Sequence, residues 1–451
     1  MKQKAIMLVG HSSGIFLGGA ELSLIDYVKS LVSLGRRVVI VIPSDENQKY
    51  IKDIKKYTEE IYFVDTNWSN KEYLADPEIV SEISEIALKT QVEMIMSNTI
   101  TMREPLIAAR KISIPSVCIA REVPEEGTAL ANILNKSLGQ IISEIHSLSD
   151  YIIANSKYTL NTYYLDGKSA IVRNTFDEKL LTLDREVHPT FNIGFVGSSN
   201  LEKGFGDFLE LARSFESDEH IRFYAYGPIK NELSPNITAD LPSNIELMGY
   251  ESRQEIIYAK LDLFLQLSTL NETFSRVVLE AMAASVPVIA YNRGAIPDLI
   301  SNGVTGFLVQ PKETHEVERL IRHFMQNPET SKQMGEQARK FAISHYSSDL
   351  QKKDLKSVLE TIAGDYTTMS SNLPDFEIEV SKLNRSHHKE PFLVGNRARF
   401  ATATGVRFIS DNKLVVASLL GQQLHLYEFN PDLRTSRLLV TIDSQNGKEL
   451  V

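Results

Sequence analysis

Cysteine is almost absent from these 451 residues, Cys118 being the single one. One thiol excludes an internal disulfide framework and suits a reducing compartment. It follows Ile-Pro-Ser-Val in a strand-like apolar run, so it reads as inert core rather than nucleophile. Long apolar runs are also lacking. None approaches the roughly 18–20 residues of a spanning helix. The N-terminal stretch AIMLV is shorter than the core of a signal peptide. Basic charge is in the minority: 48 Lys and Arg face 58 Asp and Glu, a net charge of −10, which argues against a nucleic-acid partner. A cytoplasmic protein is expected, with peripheral contact at the inner membrane face left open.

Several site signatures are missing as well. There is no HExxH and no Cys–His cluster, and the adjacent His387 and His388 lie in a polar stretch that reads as solvated. No G-x-G-x-x-G opens a βα unit, and GFVGSSNLEKG is not a Walker-type phosphate loop. Nicotinamide enzymes and P-loop ATPases are thereby disfavoured.

What is present is alternation. KAIMLVG, RRVVIVIP, EIYFVD, VEMIMSN, PSVCIA and YIIANS read as buried strands, with helical segments such as AELSLIDYVKSLVSLG between them. The pattern restarts with FNIGFVGS, HIRFYAYG, NIELMGY, LDLFLQLS, VPVIAYN and GFLVQP. Strands alternating with helices imply doubly wound parallel sheets, here two α/β domains facing a cleft. The expected division is residues 1–180 and 181–347, a crossing helix at 348–365, a polar linker at 366–395 and a β-rich segment at 396–451. Its four short strands, TGVRFIS, KLVVASL, LHLYEFN and SRLLVTIDS, resemble one β-propeller blade.

Ligands of open α/β sheets bind beyond the carboxyl ends of the strands. In the second half that edge carries NETFSRVVLEAMAA. Glu272 falls in the loop after a strand, and Glu280 falls about one and a half turns into the following helix. Backbone N–H groups of Phe274, Ser275 and Arg276 at that helix start form an anion site. Glu280 suits a vicinal diol such as ribose; the plainer alternative is a solvated glutamate on an exposed stripe.

The segment NETFSRVVLEAMAASVPVIAYNRGAIPDLI resembles the E-x7-E region of the retaining glycosyltransferases of family four, which have the GT-B fold. GGAE at 18–21, IVRNTFD at 171–177, GFVGSSNLEKG at 194–204 and NGVTGFLV at 302–309 resemble further motifs of that family, in the family's order. The resemblance implies transfer of a sugar from a nucleotide-diphosphate donor to the hydroxyl of a saccharide, lipid-linked or protein acceptor, with retention, in bacterial polysaccharide or glycoconjugate synthesis. It implies Glu280 at the donor ribose, Glu272 near the donor sugar, and Lys203 as the cation that stabilises the leaving diphosphate, with Glu272 and Lys203 as the catalytic pair. Gly18, Gly19, Ser198, Gly227, Tyr250, Thr273, Phe274, Ser275 and Arg276 complete the implied donor site. Arg121 and Glu122, in CIAREVPEE, fall on the acceptor side, where the family often has a histidine. The family usually has arginine where this chain has Ser198, and Arg276 is the candidate to compensate. With no D-x-D in the chain, neither a metal nor another cofactor is expected. A non-catalytic nucleotide-sugar or glycan-binding scaffold and a GT-B-like nucleotide-sugar epimerase remain as alternatives.

Overall fold

The computed structural model describes residues 5–14, 16–66, 75–184, 188–228 and 241–372, and four strands between 403 and 443. Residues 373–395, most of the expected linker with His387 and His388, lie outside the described residues.

Two parallel sheets dominate. The first contains β1 (Ala5–Val9), β2 (Arg37–Ile42), β3 (Ile61–Phe63), β4 (Val92–Ser97), β5 (Ser116–Ala120), β6 (Tyr151–Ala154) and β7 (Ser169–Ile171), in the order β3-β2-β1-β4-β5-β6-β7. The second contains β8 (Phe191–Val196), β9 (Ile221–Tyr226), β10 (Ile245–Gly249), β11 (Leu263–Gln266), β12 (Val288–Tyr291) and β13 (Phe307–Val309), in the order β10-β9-β8-β11-β12-β13. Helices cover both faces of each sheet. In β1, Ala5, Met7 and Val9 enter one apolar cluster while Ile6 and Leu8 enter another. A strand buried on both sides has no polar face to display, which is why these segments are unbroken apolar runs.

The helix Gly19–Ser33 shows how sequence sets position. Leu24, Tyr27, Val28 and Leu31 recur at helical spacing and are all buried against the first sheet. Its start is fixed by Glu21, whose Oε2 accepts the Gly18 N–H at 2.9 Å.

Two strand orders reverse, between β1 and β4 in the first sheet and between β8 and β11 in the second. Loops leaving adjacent strands at a reversal diverge to opposite faces and open a crevice.

The helix Ser348–Asn372 returns to the first domain. Leu355, Val358, Leu359 and Ile362 are buried in the cluster that contains Ile6, Leu8 and Val28. Gln351, fully buried, accepts from Ser30 Oγ at 2.7 Å and donates to the Arg173 carbonyl at 3.0 Å. Arg173 Nε in turn donates to Asp354 Oδ2 at 2.6 Å. The helix extends seven residues past the expected end at 365, because no proline occurs until Pro374 and helices end at or before the residue preceding proline. The last four strands, β14 (Ala403–Ser410), β15 (Lys413–Ser418), β16 (Gln423–Asn430) and β17 (Thr435–Asp443), form an antiparallel meander in chain order.

Because Leu355 fills first-domain core from the far end of the chain, Leu355→Ala should destabilise that domain by about 2–5 kcal/mol, as large-to-small core changes do. Chemical denaturation followed by circular dichroism reads this directly. A loss below about 0.5 kcal/mol would mean the helix is not part of that core.

Candidate functional site

The loop after β11, residues 267–275, runs along the carboxyl edge of the second sheet. Its course depends on Gly294, which has φ +53°; a Cβ there would sit 2.3 Å from the Glu272 carbonyl oxygen and 2.6 Å from its nitrogen. That contact is secured by the Ala295 N–H donating to the Glu272 carbonyl (2.7 Å) and the Gly294 N–H donating to Asn271 Oδ1 (3.1 Å). Glu272 therefore presents its carboxylate to the loop after β8, where Lys203 Nζ donates to Glu272 Oε1 at 2.7 Å. Both groups are part-buried, with side chains 34% and 15% exposed for Lys203 and Glu272. Ser198 lies in the same loop, beside Asn200. Gly227, at φ +138°, is a packing requirement: a Cβ there would fall 1.9 Å from the Gly197 carbonyl oxygen.

Ser275 precedes the helix Arg276–Ala283 and caps nothing with its side chain. Its Oγ is buried without a hydrogen-bond partner, at a helix start where backbone N–H groups point outward. The Phe274 ring turns away, packing edge-on against Tyr346 at 5.5 Å in the second-domain core, which leaves its backbone N–H at the helix start.

Glu280 is not on a solvated stripe. It is buried, with Oε1 accepting from Gln254 Nε2 (2.7 Å) and Oε2 accepting from Tyr258 Oη (3.2 Å). Burial raises its pKa to about 7, against the opposing pull of Arg276, whose Nε is 3.7 Å away. Arg276 does not stand free for a phosphate either. Its Nη1 donates to Asp26 Oδ2 (2.7 Å) and Ser23 Oγ (3.3 Å) on the first-domain helix Gly19–Ser33. Burial works against its charge, but Asp26 and Glu280 outweigh it and hold the guanidinium protonated. Its Cδ is 3.5 Å from where a Cβ on Gly19 would lie, which places the Gly18–Gly19 turn against it.

The first domain forms the opposite wall. Thr273 Oγ1 donates to the Arg121 carbonyl (2.5 Å), and the Asn271 N–H donates to Glu125 Oε1 (2.6 Å). The Tyr250 hydroxyl accepts the Leu17 N–H (3.1 Å), with its ring edge-to-face on Phe16 at 5.0 Å. Tyr250 is thus an interdomain contact in this arrangement. Glu122 is occupied inside its own domain, accepting from Thr99 Oγ1 (3.0 Å) and the Ile100 N–H (3.1 Å). Arg121 is buried, its Nε donating to Asn98 Oδ1 at 2.7 Å.

Sequence reasoning passed over Ser23, Asp26, Glu125, Gln254 and Tyr258. Ser23 and Asp26 share a helix face at three-residue spacing, which from sequence cannot be told from a solvated face. Cys118 is fully buried, and burial pushes its thiol pKa up, as expected of inert core. Among the described residues no group of three His, Cys, Asp or Glu is placed to hold a metal ion.

Two outcomes test this geometry. An unperturbed glutamate titrates near 4.5 and Glu280 near 7, so between those values the folded state binds more protons than the unfolded state. The carboxyl's stabilising share is present at low pH and is lost as pH rises through 7. Glu280→Gln lacks that loss, so its melting temperature relative to the parent should climb between about pH 4.5 and 7 and then level off. A flat difference across the window would remove Glu280 as the titrating group. Separately, Gly294→Ala should destabilise by more than Gly303→Ala. Both have positive φ, but nothing lies within 4 Å of a Cβ on Gly303. Left-handed backbone alone costs about 1–2 kcal/mol.

Comparison with known proteins agrees with this architecture. Residues 185–341 match the family profile described as "Glycosyl transferases group 1". An uncharacterized glycosyltransferase of Methanocaldococcus jannaschii is 26% identical over 43% of this chain and 55% of its own length. Sulfoquinovosyl transferase SQD2 of Arabidopsis thaliana is 35% identical over 32% of this chain and 28% of its own. The capsular polysaccharide biosynthesis glycosyltransferase CapM of Staphylococcus aureus is 25% identical over 43% and 51%. The chain thus spans about half or less of the length of these relatives. Among solved structures, Anabaena HepE in complex with UDP and glucose superposes with a TM-score of 0.66 at 18% identity, over 79% of this chain and all of that one. TarM superposes with a TM-score of 0.62 at 13% identity, over 80% of this chain and 98% of that one. The chain has the GT-B fold, and its second domain is similar to the glycosyl transferases of group 1.

Proposed function

We propose that this protein is a retaining glycosyltransferase of family-four type, which moves a sugar from a nucleotide-diphosphate donor to an acceptor hydroxyl. The observation that carries the reading is one loop and the helix that follows it in the profile-matched domain. Within residues 272–280 they combine Glu272 paired to Lys203, the buried unpartnered Ser275 Oγ at a helix start, and the buried Glu280.

In this reading the donor diphosphate lies at the start of the helix Arg276–Ala283. Backbone N–H groups and Ser275 Oγ donate to it, and the helix dipole favours its charge. Lys203 exchanges Glu272 for the leaving phosphate as negative charge develops there. Glu272 lies near the donor sugar. Glu280 accepts from the ribose hydroxyls, displacing Gln254 or Tyr258. The acceptor hydroxyl approaches on the leaving-group face and gives its proton to a phosphate oxygen, which preserves the anomeric configuration without a protein nucleophile. Contacts across the cleft, such as Asn271 to Glu125 and Tyr250 to Leu17, hold the domains together and exclude water that would hydrolyse the donor.

The neighbour solved with UDP and glucose supports a uridine diphosphate sugar as donor. The relative named for capsular polysaccharide biosynthesis supports a saccharide acceptor in bacterial polysaccharide or glycoconjugate synthesis. No described helix is long and apolar enough to cross a membrane. The four-stranded tail, read as a single blade-like unit, is an appendage outside the chemistry.

A thermal-shift panel of UDP, GDP and ADP with their sugars, followed by incubation with labelled donor, tests the reading. Transfer supports it; isomerisation indicates an epimerase, and binding without turnover a scaffold. Lys203→Ala should lower turnover by about 10²–10³-fold, the usual effect of removing one group that stabilises developing charge. Ser198→Ala should change it far less. Equal effects would mean the phosphates lie elsewhere.

A further inference from the structure

Three arginines are buried among the described residues: Arg103, Arg121 and Arg276. Arg103 is paired with Glu144, and Arg276 with Asp26. Arg121 alone forms no ion pair. Its Nε and Nη1 donate to neutral amides, Asn98 Oδ1 at 2.7 Å and Asn174 Oδ1 at 3.3 Å, and its Nη2 is buried with no hydrogen-bond partner. The nearest acid in sequence, Glu122, is turned to Thr99 and Ile100. The Tyr27 ring lies 5.1 Å from the guanidinium carbon, and the cation also acts on the Tyr27 hydroxyl, opposing the rise that burial gives its pKa. An aromatic face compensates a buried cation only in part.

The hydrogen-bond network extends across the cleft. Asn174 Oδ1 accepts from Arg121 and also from Ser23 Oγ (3.3 Å), which in turn accepts from Arg276. This chain of bonds joins two guanidinium groups and one hydrogen-bonded carboxylate, Asp26. Burial depresses the affinity of Arg121 for its proton, yet a guanidinium stays charged in proteins. Glu122 and Asp26 act on Arg121 only through space, so a buried cation whose hydrogen bonds all go to neutral groups still calls for a directly bonded anion.

We propose that Arg121 determines acceptor specificity by taking a compact anionic group, a carboxylate or a phosphate, borne by the acceptor sugar. This rests on the glycosyltransferase reading above. The donor diphosphate has Lys203 and a helix start on the second domain, whereas the groups that hold Arg121 (Asn98, Asn174 and Tyr27) precede that domain in the chain. The planar guanidinium, with two bonds fixing its orientation, presents Nη2 to one anionic oxygen.

The test uses the full chain with saturating UDP and three small probes: D-glucuronate, D-glucose 6-phosphate and D-glucose. An anionic sugar should raise the melting temperature at a concentration at least tenfold below that of glucose, and the better of the two separates carboxylate from phosphate. Arg121→Gln should abolish that preference, while Arg121→Lys, which keeps the charge without the fork, should retain part of it. Unchanged UDP affinity in both variants shows that each is folded. If the Gln variant does not fold, a reduced preference in the Lys variant carries the comparison. The proposal is overturned if the parent shows no preference, or if the variants keep it in full. It also falls if the substitutions weaken UDP instead, since the cation then serves the donor diphosphate. Should the parent bind no nucleotide, the glycosyltransferase reading fails, and the probe series without nucleotide still decides whether Arg121 selects an anion.

Discussion

One close backbone approach governs the site. The chain from Asn271 to Ser275 can follow its path only because Gly294, at φ +53°, has no side chain to collide with Glu272. From that contact the rest follows in sequence order. Asn271 reaches Glu125, Glu272 reaches Lys203, Thr273 reaches the Arg121 carbonyl, and Phe274 anchors the segment in the core. One loop thereby holds both the Glu272–Lys203 pair and several bonds between the domains. Whatever shifts the loop shifts both together.

Charge in the cleft is arranged so that few groups are at rest with a perfect partner. Glu280 is buried with two neutral donors, and its nearest cation is committed to Asp26 in the other domain. Lys203 is neutralised by Glu272 in a pair that is only part-buried. A fully satisfied ion-pair network would be more stable and less able to exchange partners. Titratable groups with displaced pKa values in a cleft are a recognised mark of function, and Glu280 is such a group.

How much of this was legible beforehand depended on the distance over which each feature is decided. Strands such as AIMLV and RVVIVI are legible because a parallel sheet covered on both faces requires continuous apolar residues, a local property. The segment 271–300 was legible through its resemblance, down to the loop that carries Glu272. Partners were not. Arg276 meets Asp26 from 250 residues away, and Gln254 and Tyr258 close on Glu280 from 26 and 22 residues away. No periodicity encodes such pairs, since each partner lies on an element with an ordinary polar face. The burial of the Phe274 ring was equally hidden, since the sequence marks its backbone N–H at a helix start and not the core beneath its side chain.

The returning helix sets an order of completion. The second domain draws on residues between 176 and 346, whereas the first needs Leu355, Val358, Leu359 and Ile362 to complete the cover on one face of a sheet begun at Ala5. During synthesis part of that apolar face stays uncovered while the whole second domain is translated. At about 5–20 residues per second, the wait from β7 to the returning helix is on the order of ten seconds or more. The domain that starts first is therefore finished last. In a cell its exposed face is open over that interval to chaperones or to wrong partners.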